Sequence, residues 1–386
     1  MDSISINIGG DLFLGRRIEQ IAMAEPEQLF DQKILDIFSL GDLNILNLES
    51  PLTNVQEEHR LIKTGPNLKA SRDTVKVLNE LKINLVTLAN NHIYDYGDQG
   101  LSDTLELIRK NNIATVGAGL TLYEAEKIFT TKIKEITISV VNITENEWST
   151  ANENHGGANP MNIISNTRSI ARAKSISDVV ILVIHGGHEF YHYPSPRMVE
   201  QYRFYAEQGA SMIVSHHSHC ISGYEIYKNV PIFYGLGNFL FDSKTDFTGW
   251  YEGIFLNVEI NFKKEISWKI CPFKQCKNKL KVEILEGQDK IEVENKIMDI
   301  NQIIAEPRLL KEKFNLFVYN QKNYVLSIFS TSYILKSKFL RSVIRKTGLE
   351  HFFLRRAQLK SFLNYSRCEA LRDVSIKLLL DYITRK

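Results

Sequence analysis

The sequence contains few of the residues and segments that would place it in several large protein classes. It has only four cysteines in 386 residues, at 220, 271, 276 and 368, and their spacing fits neither a disulfide framework nor a paired zinc motif. No apolar run approaches the ~18 residues needed to span a bilayer. Residues 1–8 resemble a strand rather than a signal peptide. We therefore expect a cytoplasmic protein with reduced thiols.

The chain also lacks a large net charge, although its charge is unevenly distributed. With 47 Lys/Arg and 45 Asp/Glu the net charge is +2, which predicts neither a nucleic-acid-binding protein nor an acidic tail. Residues 301–386 nevertheless hold 17 basic and 6 acidic residues, leaving 30 basic and 39 acidic residues before them. The stretch 287–305 is polar and rich in Lys and Glu. We predict one domain over residues 1–286 and a basic, mainly helical region over residues 287–386.

The sequence does contain a series of short apolar runs, each ending in residues that can bind a metal. Such runs, separated by helical patterns, predict buried parallel strands. Ligands of open α/β sheets bind beyond the carboxyl ends of the strands, so these repeated coincidences indicate a shared metal site. The junctions are Ile4–Ile8 before Asp11, Leu43–Leu48 before Glu49, Leu85–Ala89 before Asn90-Asn91-His92, Val179–Ile184 before His185, and Met212–Val214 before Ser215-His216-His217-Ser218-His219.

Helical patterns separate these runs, and further strands follow them. Residues 101–110 place Leu101, Leu105 and Ile108 on one face of a predicted helix. Residues 223–285 contain several short β-like segments. This alternation predicts an α/β fold with a two-sheet core flanked by helices.

The candidate ligands suit a pair of divalent metal ions. Two ions about 3.5–4 Å apart can convert a bound water into hydroxide and stabilise the oxygens of a phosphate ester. A mixture of carboxylate, carbonyl and imidazole ligands suits Mn²⁺, with Zn²⁺ or Fe as alternatives. The candidates are Asp11, Glu49, Asn91, His185, His217 and His219, with His92 beside Asn91.

Each candidate could play a purely structural role when it is considered alone. Asp11 could cap a helix, and Asn90 and Asn91 could occupy a turn. His185 could be a core histidine whose hydrogen bonds are satisfied. Three imidazoles within residues 216–219 are hard to account for by packing, so the set as a whole favours metal binding.

The order of these motifs resembles that of the calcineurin-like metallophosphoesterase superfamily, and the local sequences resemble its CapA family of poly-γ-glutamate capsule synthesis. The resemblance covers roughly residues 4–245. It implies a four-layer α-β-β-α sandwich of metallophosphoesterase type with a C-terminal helical extension. The segments that carry it are GDLFLGR at 10–16, NLESPLT at 47–53, ANNHIYDYG at 89–97 and the block from HGGHEFYHYPSP to YGLGNFLFD at 185–242.

The resemblance also implies a role for each candidate residue. His92 would contact the phosphate or protonate the leaving oxygen. The implied metal assignment is Asp11 and His219 to the first ion, Asn91, His185 and His217 to the second, and Glu49 as the bridge. The implied substrate or supporting residues are Arg16, Asp95, Glu189, Asn238 and Asp242.

Some of these supporting residues could instead serve only the local structure. Turn chemistry around Gly235–Gly237 would account for Asn238 and Asp242. Arg16 could pair with a surface carboxylate. Lys63 and Lys69 flank a loop near the expected site and could meet an anionic substrate, but a solvated loop is the favoured interpretation of both.

Three departures from the superfamily pattern bear on activity. Phe13 stands where the first motif usually has a histidine, which leaves the first metal short of a ligand. The bridging position holds Glu49 instead of aspartate, and Ser215 replaces the glycine before the histidine pair. The CapA family shares the missing histidine, so membership is unaffected.

The function that follows is a dinuclear metal-dependent phosphoric ester hydrolase acting in the biosynthesis of a capsule or another surface polysaccharide or polymer. Its substrate would be a small-molecule or polymer-linked phosphate. The alternative is a non-catalytic assembly or scaffolding factor for a capsule synthase or exporter. The missing histidine and the basic tail favour that alternative.

The basic tail has three interpretations. Residues 339–344 place apolar side chains among Lys and Arg on a predicted helix that ends at Gly348, and helical patterns recur at 350–363 and 374–383. A docked helical bundle is the simplest interpretation. The second is peripheral contact with the inner membrane or with a membrane-bound biosynthetic complex. Nucleic-acid binding is disfavoured because no recognition motif is present.

Overall fold

The computed structural model describes residues 3–63, 65–329 and 337–348. The chain divides into two compact units, Met1–Phe314 and Asn315–Lys386. The strands of the described residues are β1 (Ile4–Phe13), β2 (Leu43–Leu48), β3 (Leu85–Thr87), β4 (Ala114–Val116), β5 (Ala118–Gly119), β6 (Phe129–Ile133), β7 (Ile136–Thr144), β8 (Gly157–Ala158), β9 (Val179–His185), β10 (Met212–His216), β11 (Tyr224–Tyr227), β12 (Val230–Phe233), β13 (Asn238–Phe241), β14 (Glu252–Ile260), β15 (Ile266–Gln275) and β16 (Val282–Ile284).

Amphipathic α-helices connect and cover the strands, and short 3₁₀ turns supplement them. The α-helices are α1 (Arg17–Ala24), α2 (Gln32–Ser39), α3 (Lys76–Glu80), α4 (Gly97–Lys110), α5 (Leu122–Ala125), α6 (Ile163–Ile176), α7 (Pro196–Glu207), α8 (Gly287–Ala305), α9 (Pro307–Phe329) and α10 (Lys338–Thr347).

Two large sheets form the centre of the first unit. The first has the order β16-β15-β14-β1-β2-β3-β4, with β13 also paired to β1, and the second has the order β11-β12-β10-β9-β7-β6. Strands β1 to β4 are parallel to one another, and so are β7, β9, β10 and β12. The carboxyl ends of the parallel strands in each sheet therefore lie together at one edge.

Three apolar clusters join these sheets and helices into four layers. One cluster packs the first sheet against α1 to α4, and a second lies between the two sheets. A third packs the outer face of the second sheet against α6 and α7. Each sheet buries one face against the other sheet and its opposite face against helices, and this produces the four layers. The predicted α-β-β-α sandwich with C-terminal helices is confirmed.

A bulge in β1 redirects Asp11. Simple alternation would place Ile8 and Leu12 on one face, yet Ile8 packs between the sheets and Leu12 packs against the helices. The register with β2 shifts between Ile8 and Asp11, so Asp11 turns away from the helix layer. A Cβ atom at Gly10 would lie 1.9 Å from the carbonyl oxygen of Gly237. Glycine is therefore required there for β13 to approach.

Several element predictions need correction. The β-branched alternation of residues 133–143 predicts one continuous strand, but a tight turn at Lys134 with φ 52° separates β6 from β7 and makes a hairpin. Asn238 begins a buried strand, β13, rather than occupying a turn. In the second unit, α10 ends at Gly348 as predicted, with a left-handed φ of 68°. The helices predicted at 350–363 and 374–383 lie outside the described residues.

The polar stretch 287–305 is helix α8 and belongs to the first unit. Val293 and Ile297 are buried in the cluster between the sheets, and Ile300 and Ile304 are buried in the third cluster. This spacing forms one helical face that the Lys/Glu-rich composition conceals. The boundary predicted after residue 286 therefore falls inside a unit that extends to Phe314. Among the described helices, none combines the length and apolar character that crossing a membrane requires.

Truncation tests this boundary. Leu310 is buried within the third cluster, so residues 306–314 should contribute to the core. A protein ending at residue 314 should unfold cooperatively in urea, whereas one ending at residue 305 should lose about 2 kcal/mol or more. Equal unfolding midpoints for the two proteins would contradict this assignment of residues 306–314.

Candidate metal centre

The six predicted metal ligands converge where the carboxyl ends of the two sheets meet. The first sheet supplies Asp11 at the end of β1, Glu49 just after β2 and Asn91 in the loop after β3. The second sheet supplies His185 at the end of β9, with His217 and His219 in the loop after β10. All six side chains are buried. Parallel topology thus joins residues that are as far as 208 positions apart in the sequence.

One group of ligand atoms surrounds Nε2 of His185. The Asn91 Oδ1 and the His217 Nδ1 each lie 3.1 Å from this nitrogen. Oε1 of Glu49 lies 3.6 Å from it. Atoms bound at about 2.1 Å to one tetrahedral ion lie about 3.4 Å from one another. These four side chains therefore have the spacing of a single coordination sphere.

A second group shares the same carboxylate. His219 Nε2 lies 3.7 Å from Oε1 of Glu49, and His219 Nδ1 lies 3.6 Å from Oδ2 of Asp11. Donor atoms of Glu49, His217 and His219 also lie within 4.8 Å of one another. One oxygen of Glu49 thus lies within 3.7 Å of imidazole nitrogens of both His185 and His219.

The Glu49 carboxylate is the clearest sign that a cation belongs here. It is fully buried, and neither oxygen has a hydrogen-bond partner among the described residues. Burial raises its pKa well above the usual range, and the charges of Asp11, Glu189 and Glu147 raise it further. A buried carboxylate without partners is costly, and a bound cation removes that cost. The donor set therefore fits divalent metal ions.

Burial keeps the imidazoles of His185 and His219 neutral. It lowers the pKa of His219 to about 3 and that of His185 well below its usual range. A neutral imidazole retains one lone pair, which is the form that binds metals. His216 is also buried, with a pKa lowered to about 3, but it lies in β10 outside both groups of donors.

The loop that carries the histidine pair adopts an unusual backbone. His217 has a φ of 89° and His219 a φ of 54°, both in the left-handed region that side chains rarely occupy. Such conformations cost about 1–3 kcal/mol each and persist where a site requires them. The backbone N–H of His217 donates to Oδ2 of Asp11 at 3.1 Å and helps to hold the loop.

Outer partners orient the ligands, and only one of these partners was predicted. Asn238, the predicted one, accepts a hydrogen bond from Nδ1 of His219 at 2.9 Å, which leaves Nε2 of that ring available. Asn47, which was missed, donates to Oδ1 of Asp11 at 2.7 Å and lies 3.2 Å from Nδ1 of His185. An asparagine within an apolar strand was the available signal, because a buried amide needs partners.

Asn142 supports the site from β7 and was also missed. Its side-chain oxygen accepts the backbone N–H groups of Leu88 and Ala89 at 3.0 and 2.7 Å. These bonds fix the start of the loop that carries Asn91.

Phe13 occupies an apolar corner beside His219, in the second group of donors. Its ring packs on Phe241 with centroids 4.8 Å apart, in a cluster that includes Leu68 and Trp250. The ring centroids of His219 and Trp250 lie 4.7 Å apart. Aromatic packing thus replaces the histidine that the superfamily pattern would supply at this position.

His92, the predicted catalytic residue, belongs to a buried triad. Its Nδ1 lies 2.7 Å from Oδ2 of Asp95, and Lys63 forms an ion pair with the other oxygen of the same carboxylate. An unprotonated Nδ1 and a carboxylate oxygen would repel each other at 2.7 Å, so Nδ1 of His92 carries the hydrogen and donates it to Asp95. The Nε2 atom of a neutral His92 then keeps its lone pair. Burial lowers the pKa of His92.

The prediction that Lys63 lies in a solvated loop is wrong. Its side chain is only 3% exposed, and its ammonium lies 3.1 Å from Nδ1 of His92. The loop is held further by Asp95, which accepts the backbone N–H of Leu68 at 2.7 Å. Lys69 instead pairs with the exposed Glu57 at 2.8 Å.

The other predicted supporting residues lie at the periphery or serve the fold. Asp242 is buried in an ion pair with Arg17, and Arg16 donates to the backbone oxygen of Asp242 at 3.0 Å. Neither residue forms a hydrogen bond or ion pair with the donor groups in the described part of the chain. Glu189 is exposed and acts on Glu49 through its charge.

The chain combines a four-layer sandwich with carboxylate, amide and imidazole donors at the strand ends, as the resemblance to the metallophosphoesterases implied. Residues 5–243 match the family model described as bacterial capsule synthesis protein PGA_cap, and the chain belongs to that family.

Curated relatives carry capsule names. The PGA biosynthesis protein CapA of Bacillus subtilis (strain 168) is 33% identical over 244 residues, covering 62% of this chain and 64% of the relative. The capsule biosynthesis protein CapA of Bacillus anthracis is 27% identical over 248 residues, covering 62% and 60%. The chain thus spans less than two thirds of either relative. A solved structure titled as a novel phosphatase, from Mycoplasma pneumoniae, is 13% identical with a TM-score of 0.45, covering 76% of this chain and 97% of that one.

The two lysines of one loop provide a matched stability test. Lys63→Met would leave Asp95 buried without its cation, and we expect a loss of about 3–5 kcal/mol of unfolding free energy. Lys69→Met should cost less than about 1 kcal/mol, because Glu57 is 65% exposed. Urea unfolding at neutral pH measures both, and equal midpoints would show that the buried pair adds no stability.

The pKa of Asp11 predicts how the metal-free protein responds to pH. Burial raises this pKa from 3.8 to about 6. The free energy of unfolding is therefore highest, as far as Asp11 determines it, below pH 3.8, where the carboxyl group is protonated in both the folded and the unfolded chain. It falls by up to about 3 kcal/mol as the pH rises through about 6, because the folded protein must then bury a charged carboxylate. Asp11→Asn should remove this dependence, so wild type should lose stability relative to the variant over that range. Urea unfolding in a chelator measures the difference, and a constant difference would contradict the assignment.

Proposed function

We propose that this protein is a dinuclear metal-dependent phosphoric ester hydrolase of CapA type that acts in the biosynthesis of a capsule or related surface polymer. The observation that carries the proposal is the buried Glu49 carboxylate, whose oxygens lack hydrogen-bond partners among the described residues while facing imidazoles of both donor groups. The mixture of nitrogen and oxygen donors supports Mn²⁺, with Zn²⁺ and Fe as alternatives. Asp11 and His219 would hold one ion, Asn91, His185 and His217 the other, and Glu49 both.

Bound metal ions would supply a hydroxide nucleophile and neutralise charge on the phosphoryl oxygens. His92 would contribute the proton chemistry. Because its Nδ1–H faces Asp95, Nε2 is the atom left to exchange a proton with an oxygen of the ester. Asp95 and Lys63 hold the ring in this orientation. The substrate we propose is a small-molecule or polymer-linked phosphate.

The basic second unit is the part we assign to partners. Its described helix α10 carries Lys338, Arg341 and Lys346 beside apolar residues. We propose peripheral contact with the inner face of the membrane or with a membrane-bound biosynthetic complex, since basic amphipathic helices bind anionic surfaces.

A non-catalytic assembly factor for a capsule synthase or exporter is the second candidate function. The observation that favours it is the apolar corner at Phe13, which leaves the ion that Asp11 and His219 would hold with one ligand fewer. Such a protein would keep the fold while binding metal weakly or not at all.

Metal content and turnover of a generic aryl phosphate distinguish the two functions. The hydrolase should bind about two Mn²⁺ per chain and cleave the ester. Glu49→Gln should lose both ions, and His217→Ala and His219→Ala should each lose one. His216→Ala is the matched control and should retain both, because His216 lies outside the donor groups.

His92→Asn separates catalysis from metal binding within the same experiment. It should retain both ions but turn over about 10²–10⁴-fold more slowly, the usual effect of removing a general acid–base group. Wild-type protein that binds no metal and leaves the ester intact would favour the assembly factor.

A further inference from the structure

The loop after β7, residues 145–149, is fixed to both sides of the candidate metal centre. At its start, the backbone N–H of Glu145 donates to the carbonyl oxygen of His185 at 3.0 Å. The Glu145 carboxylate accepts the N–H of Gly187 at 3.2 Å and forms an ion pair with Arg197. The first half of the loop is therefore attached to the segment that carries His185.

The end of the loop is attached to the segment after β3 of the first sheet, which carries Asn91. The hydroxyl of Ser149 donates to the carbonyl oxygen of Asn91 at 2.7 Å, and the backbone N–H of Tyr94 donates to the same hydroxyl at 3.3 Å. Ser149 is fully buried. The residues between Glu145 and Ser149 thus have little freedom to move relative to the ligands.

Glu147 lies between these two attachments and reaches His217. Its Oε1 lies 3.5 Å from Nε2 of His217, and its side chain is 41% exposed. Among the ion pairs of the described residues, Glu147 has no lysine or arginine partner. Its charge also contributes to the raised pKa of Glu49, which places it close to the donor groups.

The two nitrogens of His217 face different surroundings. Nδ1 points to Nε2 of His185 and so into the donor group that includes Asn91. Nε2 points outward to Glu147. A neutral imidazole carries one hydrogen, and a hydrogen on Nε2 leaves the Nδ1 lone pair free for a metal.

We propose that Glu147 is a positioning residue for His217, accepting the hydrogen of Nε2 so that Nδ1 becomes the metal-binding atom. The inference rests on the proposed metal-dependent function. The same arrangement occurs at His219, where Asn238 holds Nδ1 and leaves Nε2 facing Glu49. Glu147 gives His217 a charged partner, which favours one tautomer more strongly than a neutral amide does.

The test compares Mn²⁺ affinities of full-length variants by titration calorimetry. Glu147→Leu removes the acceptor and should weaken one of the Mn²⁺ sites about 10–100-fold while leaving the other unchanged. Glu147→Gln keeps a neutral acceptor and should fall between wild type and Glu147→Leu. Glu189→Gln is the matched control, because Glu189 is an exposed acid that also acts on Glu49. It should change affinity less than about fivefold.

A second measurement reports on the ligand shell itself. Co²⁺ loaded in place of Mn²⁺ should show a changed visible absorption spectrum in Glu147→Leu and a wild-type spectrum in Glu189→Gln. Metal-free thermal unfolding should be the same for all variants, since Glu147 is partly exposed.

Two results would overturn the assignment of Glu147 alone. One is a Glu147→Leu affinity and Co²⁺ spectrum equal to wild type. The other is an equal loss in Glu147→Leu, Glu147→Gln and Glu189→Gln, which would mean that only the net charge near the site matters. Wild-type protein that binds no Mn²⁺ would overturn the proposed function and, with it, this inference.

Discussion

A single buried carboxylate, that of Glu49, determines how this part of the molecule is organised. Burying a carboxylate between two sheets without a hydrogen-bond donor is unfavourable in free energy. The residues around Glu49 are arranged accordingly. Burial keeps His185 and His219 neutral, and the amide oxygen of Asn238 accepts the Nδ1 hydrogen of His219, so that Nε2 of that ring faces Glu49. The amide nitrogen of Asn47 lies 3.2 Å from Nδ1 of His185, on the outer side of that ring. The backbone at His217 and His219 adopts left-handed angles to bring the rings close. Each of these features is accounted for by a cation at the centre.

The sequence allowed the fold class and the convergence of the six candidate ligands to be predicted, because both depend on local patterns. Apolar runs of strand length mark the parallel strands, and their carboxyl ends meet wherever those strands pair. Lys63 could not be assigned in this way, since a lysine in a polar loop resembles any solvated lysine until its contact with Asp95 is known. Glu147 has the same difficulty. Its role depends on where the loop after β7 is attached, and no local pattern encodes that.

Composition was a poor guide to domain limits for a related reason. Helix α8 is rich in Lys and Glu, yet Val293, Ile297, Ile300 and Ile304 form a buried face along it. Averaging over a window removes a periodic signal of this kind, whereas helical spacing preserves it. The bulge that turns Asp11 was also not predicted from the sequence.

The division of the ligands between the two sheets has a mechanical consequence. Asp11, Glu49 and Asn91 belong to one sheet, and His185, His217 and His219 belong to the other. Within the sandwich the sheets are joined mainly by the apolar cluster between them, which resists their separation. Ions held by both sets would add a second connection at one edge. The spacing of the two sheets at that edge would then depend on metal binding.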